Sequence, residues 1–129
     1  MNCNFQLRHY EETVKSFLDN GFTSTTLRDY FQGKNKNKKR LIMRHDVDHD
    51  IRLIKNMCDI ESDLGVKSSV YLRLRAKNYN LLSLSNRKLI ERIRHQGHEL
   101  GFHYELDDLK DDKLERELYI LRSEWGAEE

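Results

Sequence analysis

Proline is absent from the 129 residues, although average usage of about 5% would place several; nothing in the residues accounts for this. Cysteine is scarce. Cys3 and Cys58 are the only two, which excludes a disulfide framework, and no signal-peptide pattern precedes them. Long apolar runs are lacking as well. None approaches the roughly 20 residues that a bilayer span requires, so the expected setting is soluble, reducing and cytoplasmic. There is no excess of charge of one sign either. Charged residues make up 35% of the chain but leave a net charge of only +1, which excludes a global field favouring nucleic acid or a membrane surface. Mean hydropathy is low, at -0.86. Either many helix faces are exposed, or the chain needs further polypeptide to finish its core. The length suits one domain and not two.

What the chain does have is a run of titratable side chains. Leu41-Ile42-Met43 leads directly into Arg44-His45-Asp46-Val47-Asp48-His49-Asp50. A short apolar run followed by clustered acids and imidazoles predicts a buried strand ending in a site. Carboxylates and histidines at this density repel one another or must be desolvated, and a divalent metal is the usual means of neutralising them.

Along the chain, Leu7, Tyr10, Val14, Phe17 and Leu18 have amphipathic helical spacing over 5–19, closed by Asn20-Gly21. Residues 24–31 predict a second short helix. The basic run 33–40 reads as a solvated connecting loop, because it lacks interleaved aromatics. Asp50 is placed to cap a helix that runs to Leu64 and stops at Gly65, with Leu53, Met57, Ile60 and Leu64 on one face and Ile54 and Cys58 beside it. Cys58 reads as a small core residue. Residues 66–74 alternate as a strand. A loop over 79–85 leads into a helix striped by Leu89, Ile90 and Ile93. Residues 98–103 make a short third strand. The acidic stretch 107–112 suits a helix start, and Leu114, Leu118, Leu121 and Trp125 form the face of the last helix.

Strands alternating with helices predict an α/β fold with a parallel sheet and right-handed crossovers, whose ligands sit at the carboxyl ends of the strands. The two His/Asp-rich stretches, 44–50 and 98–108, both fall at such ends. Asp46 and Asp48 would face the same way on a strand, one binding a metal and the other facing its water. His103 offers an imidazole from another strand end. An open catalytic zinc takes three protein ligands; the third could be Asp107, Glu105, His45 or His49.

Arg44-His45-Asp46-Val47-Asp48, followed by Gly97-His98-Glu99-Leu100-Gly101-Phe102-His103-Tyr104-Glu105, resembles the polysaccharide deacetylase (NodB-homology) family, in its Asp-x-Asp subset. The resemblance covers residues 40–125. It implies the first half of an irregular (β/α) barrel, with residues 1–39 as a helical extension and basic loop, and one domain, truncated, over 1–129. It implies Asp46 as catalytic base, Asp48 as metal aspartate and His103 as first metal histidine, with His98, Arg44 and His45 supporting them without ligating. Where the family has its second metal histidine this chain has Asp107, an oxygen ligand if it substitutes. The reaction implied is removal of acetyl groups from a carbohydrate by a divalent metal, zinc being the expected ion. The family's later motifs would lie beyond residue 129, so a half barrel with an exposed strand edge is expected, open to a second chain that completes it. Two other functions compete: an Asp-x-Asp glycosyltransferase, which leaves the 97–105 block unexplained, and a non-catalytic remnant or interaction piece. A phosphatase of Asp-x-Asp type is excluded by Asp50, where Thr or Val is required.

Overall fold

The computed structural model describes residues 5–107, 110 and 113–126. Cys3 and most of the acidic stretch 107–112 lie outside them. The chain opens with helix α1 (Leu7–Asp19), whose only fully buried residue is Val14. A short unit follows, of which the residue pattern announces only the helix. Strand β1 (Thr23–Ser24), helix α2 (Leu27–Phe31) and strand β2 (Arg40–Leu41) form it, with β1 and β2 paired in parallel. The helix expected over 24–31 therefore begins three residues later. Thr26 sets that start by accepting the Asp29 N–H on its hydroxyl at 3.2 Å, as an N-cap residue does.

The main sheet consists of β3 (Arg44–Val47), β4 (Ser69–Leu72) and β5 (Glu99–Phe102), all parallel, in that order. Between them run α3 (Ile51–Asp63) and α4 (Leu84–His95), and α5 (Leu114–Trp125) follows β5. The alternation of parallel strands and helices is as expected. The described sheet has three strands and does not close on itself.

One strand expectation is corrected. Leu41-Ile42-Met43 is not the buried strand that feeds the site. Leu41 belongs to β2, and none of the three is buried. The polar residues are themselves the strand, because β3 pairs with β4 from Arg44 to Val47. Its alternation is His45 and Val47 toward the helices, Arg44 and Asp46 away from them.

A single core fills one face of the sheet. Val47, Val70, Leu72, Leu100 and Phe102 pack there against Ile54 of α3, Ile90 and Ile93 of α4, and Leu121 and Trp125 of α5. On α3 the buried stripe is Ile51, Ile54, Cys58 and Glu61. Leu53, expected on that face, is 65% exposed. The stripe is turned by about one residue from its most apolar setting, and a carboxylate ends it. Asp50 caps α3 as expected, accepting the Arg52 N–H at 2.9 Å.

The other face of the sheet carries Arg44 and Asp46, Ser69 and Tyr71, Glu99 and Gly101. Gly101 has a reason to be glycine. A Cβ there would lie 2.6 Å from the Tyr71 ring, so the ring rests directly on the backbone. Near the amino ends of the strands, α2 closes over this face. The Leu27 N–H donates to Ser69 Oγ at 2.9 Å and the Arg28 N–H to Glu99 Oε2 at 3.0 Å. Among the described residues no helix is long and apolar enough to cross a membrane.

Candidate functional site

Parallel strands end together, and each of these three ends in a charged or titratable residue. Asp48 follows β3, Arg73 follows β4 and His103 follows β5. His103 is fixed at its backbone, where its N–H donates to the Leu72 carbonyl at 2.8 Å. Its Nε2 lies 2.9 Å from Asp48 Oδ1. The loop after β4 is tied across this end of the sheet by Tyr79, whose hydroxyl donates to the Val47 carbonyl at 2.7 Å and accepts the Arg73 N–H at 3.0 Å. His49 and Asn78 meet nearby, with Asn78 Nδ2 donating to His49 Nδ1 at 3.0 Å. Asp48, His49, Arg73, Asn78 and His103 rim an open cleft of about 560 Å³.

Asp46 stands on the open face of the sheet, engaged by Arg44. The guanidinium reaches both carboxylate oxygens, Nε to Oδ1 at 2.7 Å and Nη2 to Oδ2 at 3.3 Å. It also lies over the Tyr71 ring, 4.1 Å from the centroid, a cation–π contact. Gly101, Tyr71, Arg44 and Asp46 thus form a stack in which each member orients the next. Asp107 pairs with Lys110 at 2.6 Å and is 84% exposed; Glu105 pairs with Arg73.

Of the expected site residues, the fold brings Asp48 and His103 together. Asp46 is turned to Arg44, and Asp107 to Lys110. Two ligands on one tetrahedral zinc stand roughly 3.3 Å apart for metal–ligand lengths near 2.0–2.1 Å. At 2.9 Å Asp48 and His103 are hydrogen-bonded to each other, closer than two ligands on one ion, so sharing an ion requires them to part slightly, and they are two donors where a catalytic zinc takes three.

The remaining expected residues lie elsewhere. His45 and His98 point to the helix side of the sheet and meet at Glu61. This carboxylate has no solvent exposure. It accepts from His45 Nε2 at 2.6 Å, from Ser68 Oγ at 2.6 Å and from the Tyr10 hydroxyl of α1. Burial alone would raise its pKa. The His45 hydrogen bond and charge, with the Ser68 and Tyr10 bonds, outweigh this and hold it below the ordinary range. The Ser68 N–H donates to His98 Nδ1 at 3.1 Å, which leaves Nε2 as the protonated nitrogen, 3.3 Å from the Cys58 carbonyl. His98 is accordingly neutral, its pKa lowered first by burial.

Cys58, Glu61 and His98 offer ligand atoms within 4.8 Å of one another, and among the described residues no other trio of His, Cys, Asp or Glu does so. This group could hold a metal ion. Its atoms are already engaged, however. Glu61 has three donors, His98 is bonded through both nitrogens, and burial pushes the Cys58 thiol well above its usual range, which favours the protonated sulfur over the thiolate a metal needs. Sequence reasoning took Cys58 as a core residue and did not find Glu61, Tyr10 or Ser68. The available signal was a carboxylate continuing the apolar stripe of a helix, where a charge is buried only with partners.

Comparison of the chain with protein-family models, with curated proteins and with solved structures finds no match.

Proposed function

We propose that this chain is a deacetylase-type hydrolase acting on N-acetylated carbohydrate, with a divalent ion held by Asp48 and His103. One observation carries the reading. Two residues 55 apart in sequence meet at 2.9 Å at the carboxyl ends of two parallel strands, where α/β folds bind ligands, and they are the pair on which the family resemblance rests. A bound ion of this kind supplies Lewis acidity toward an acyl carbonyl and toward water. Asp46 accepts the proton of the attacking water. Arg44 fixes both oxygens of that carboxylate, Tyr71 fixes Arg44, and the missing side chain of Gly101 makes room for Tyr71. β3 and β5 each have one strand neighbour in the described sheet. On this reading, further polypeptide pairs with those edges, completes the (β/α) barrel and brings the third donor.

Titration with zinc or cobalt(II) tests the ion. We expect binding near one-to-one that Asp48→Ala and His103→Ala each abolish; a titration without heat or stabilisation sinks the proposal. Cobalt also separates the two metal-capable groups. A thiolate charge-transfer band would put the ion on Cys58 and away from the strand ends. Acetate release from N-acetylated oligosaccharides tests the reaction. A non-catalytic reading is favoured by one feature, the engagement of both Asp46 oxygens by Arg44, and a metal-loaded chain that releases no acetate would support it.

A further inference from the structure

The near-neutral charge of the whole chain conceals a local imbalance. Residues 28–40 hold six lysines and arginines against one acid, Asp29, a charge of +5 where the chain as a whole carries +1. Most of these cations lie on the loop from α2 to β2, and the alternation Lys34-Asn35-Lys36-Asn37-Lys38 separates two roles. The asparagines hold the loop. Asn35 Oδ1 accepts the Asn37 N–H at 2.9 Å, Asn37 Oδ1 accepts the Lys39 N–H at 3.1 Å, and Asn35 Nδ2 donates to Thr23 Oγ1 of β1 at 3.1 Å. The lysines are exposed. Lys34 pairs with Asp29. Lys36, Lys38 and Lys67 have no carboxylate partner among the described residues. Lys34, Lys36 and Lys67 line an open, polar cleft of about 480 Å³ in which Asp29 is the one acid among the described residues.

The basic run contains no aromatic residue, but folding sets two beside it. The Arg40 guanidinium lies over the Tyr30 ring, 5.0 Å from the centroid, and donates to the Asn35 carbonyl at 3.4 Å. Phe31 meets Tyr30 edge-on with centroids 5.4 Å apart, and it is 81% exposed. Tertiary structure therefore supplies the aromatic neighbours that the run lacks in sequence.

We infer that the α2–β2 loop and the cleft beside it bind a single-stranded nucleic acid, with the unpaired lysines on its phosphates and a base stacked on Phe31. Lysines that meet phosphates release the counterions condensed there, and every base has a face that stacks on an aromatic ring whatever the sequence. A duplex hides its base faces and offers only its phosphates. A bilayer surface is broad and flat, and would leave the concave, polar cleft unfilled. The inference is independent of the hydrolase reading.

The test is fluorescence anisotropy of a labelled oligouridylate of about 12 nucleotides titrated with the intact chain. At about 0.05 M salt it should bind with a Kd of roughly 1–100 μM, more tightly than a duplex of the same length. The logarithm of the binding constant should fall with the logarithm of salt at a slope of about -2, which is about -0.7 for each unpaired lysine. Lys36→Gln combined with Lys38→Gln should reduce the slope to about -0.7. Phe31→Ala should weaken binding about fivefold or more and leave the slope unchanged. All three are surface changes that leave the core intact. Lys77→Gln, at the strand ends, should alter neither quantity. No anisotropy change at low salt overturns the inference. An affinity that Phe31→Ala leaves unchanged, or a duplex bound as tightly as the single strand, also overturns it, because either reduces the surface to its charge. Phosphatidylserine vesicles that bind the chain where the oligonucleotide does not would assign the surface to a membrane and overturn it as well.

Discussion

Replacing Glu61 by glutamine should destabilise the chain by about 3 kcal/mol. The carboxylate is fully buried and accepts from Tyr10, His45 and Ser68. A hydrogen bond to a charged group contributes about 1.5–3 kcal/mol and one between neutral groups about 0.5–1.5. Neutralising the shared acceptor therefore costs about 1 kcal/mol for each of three bonds. The sum matches the ~3–5 kcal/mol typical of breaking a buried pair from one side. For a domain with about 5–15 kcal/mol in total this is a large fraction, and it corresponds to a fall in Tm of roughly 10 °C. Urea unfolding followed by circular dichroism measures it, with an unchanged m-value if the folded and unfolded states stay equally compact. Tyr10→Phe supplies the sharper test. It should cost about 1 kcal/mol alone and much less when combined with Glu61→Gln, a coupling that marks a direct interaction. The pH dependence follows from the lowered pKa of Glu61. The stabilisation is present above the ordinary carboxylate range and is lost as the solution is acidified through the folded-state value. A Glu61→Gln cost below about 1 kcal/mol, or strict additivity with Tyr10→Phe, would refute the reasoning.

Gly101→Ala should cost about 1–3 kcal/mol by overpacking, because its Cβ meets the Tyr71 ring at 2.6 Å. It should also disturb the Arg44–Asp46 geometry, visible as shifted Tyr71 and Arg44 resonances. Asp59 of α3 bonds Lys55 one turn earlier on its own helix and reaches Arg92 and Gln96 at the end of α4. Burial opposes ionisation there, but those three bonds prevail and its pKa is lowered to about 2. Its contribution, about 1 kcal/mol after discounting for partial exposure, should be complete above the ordinary aspartate value of 3.8 and vanish as pH falls toward about 2. Asp59→Asn should flatten the stability profile in that window and leave the profile above it parallel to the wild type.

Much of the architecture was legible because helical and strand periods are local. The spacing of Leu7, Tyr10 and Val14 announced α1, and Ile90 and Ile93 announced the buried stripe of α4. Asp50 announced the start of α3 through its capping chemistry. The two titratable stretches, each at the end of a strand, announced where a site could form. The errors share a cause. Leu41-Ile42-Met43 has the apolar character of a strand, but pairing partners select strand residues, and Ser69 to Leu72 selected Arg44 to Val47. Leu53 has the period of a buried residue, but the face of α3 that packs on the sheet carries Ile51, Ile54 and Cys58 and ends at Glu61.

The order of residues was enough to specify which segments are helical, that strands alternate with them, and that Asp48 and His103 belong to strand ends. What each charged side chain faces was left to tertiary packing. Packing turned Asp48 to His103 and His45 and His98 to Glu61, and it set Arg73, Arg75 and Lys77 around one cleft. The physical reason is range. Backbone periodicity is fixed by neighbours a few residues away, whereas a buried or paired charge takes its partner from the strand or helix packed against it, often 30 or more residues distant in the chain.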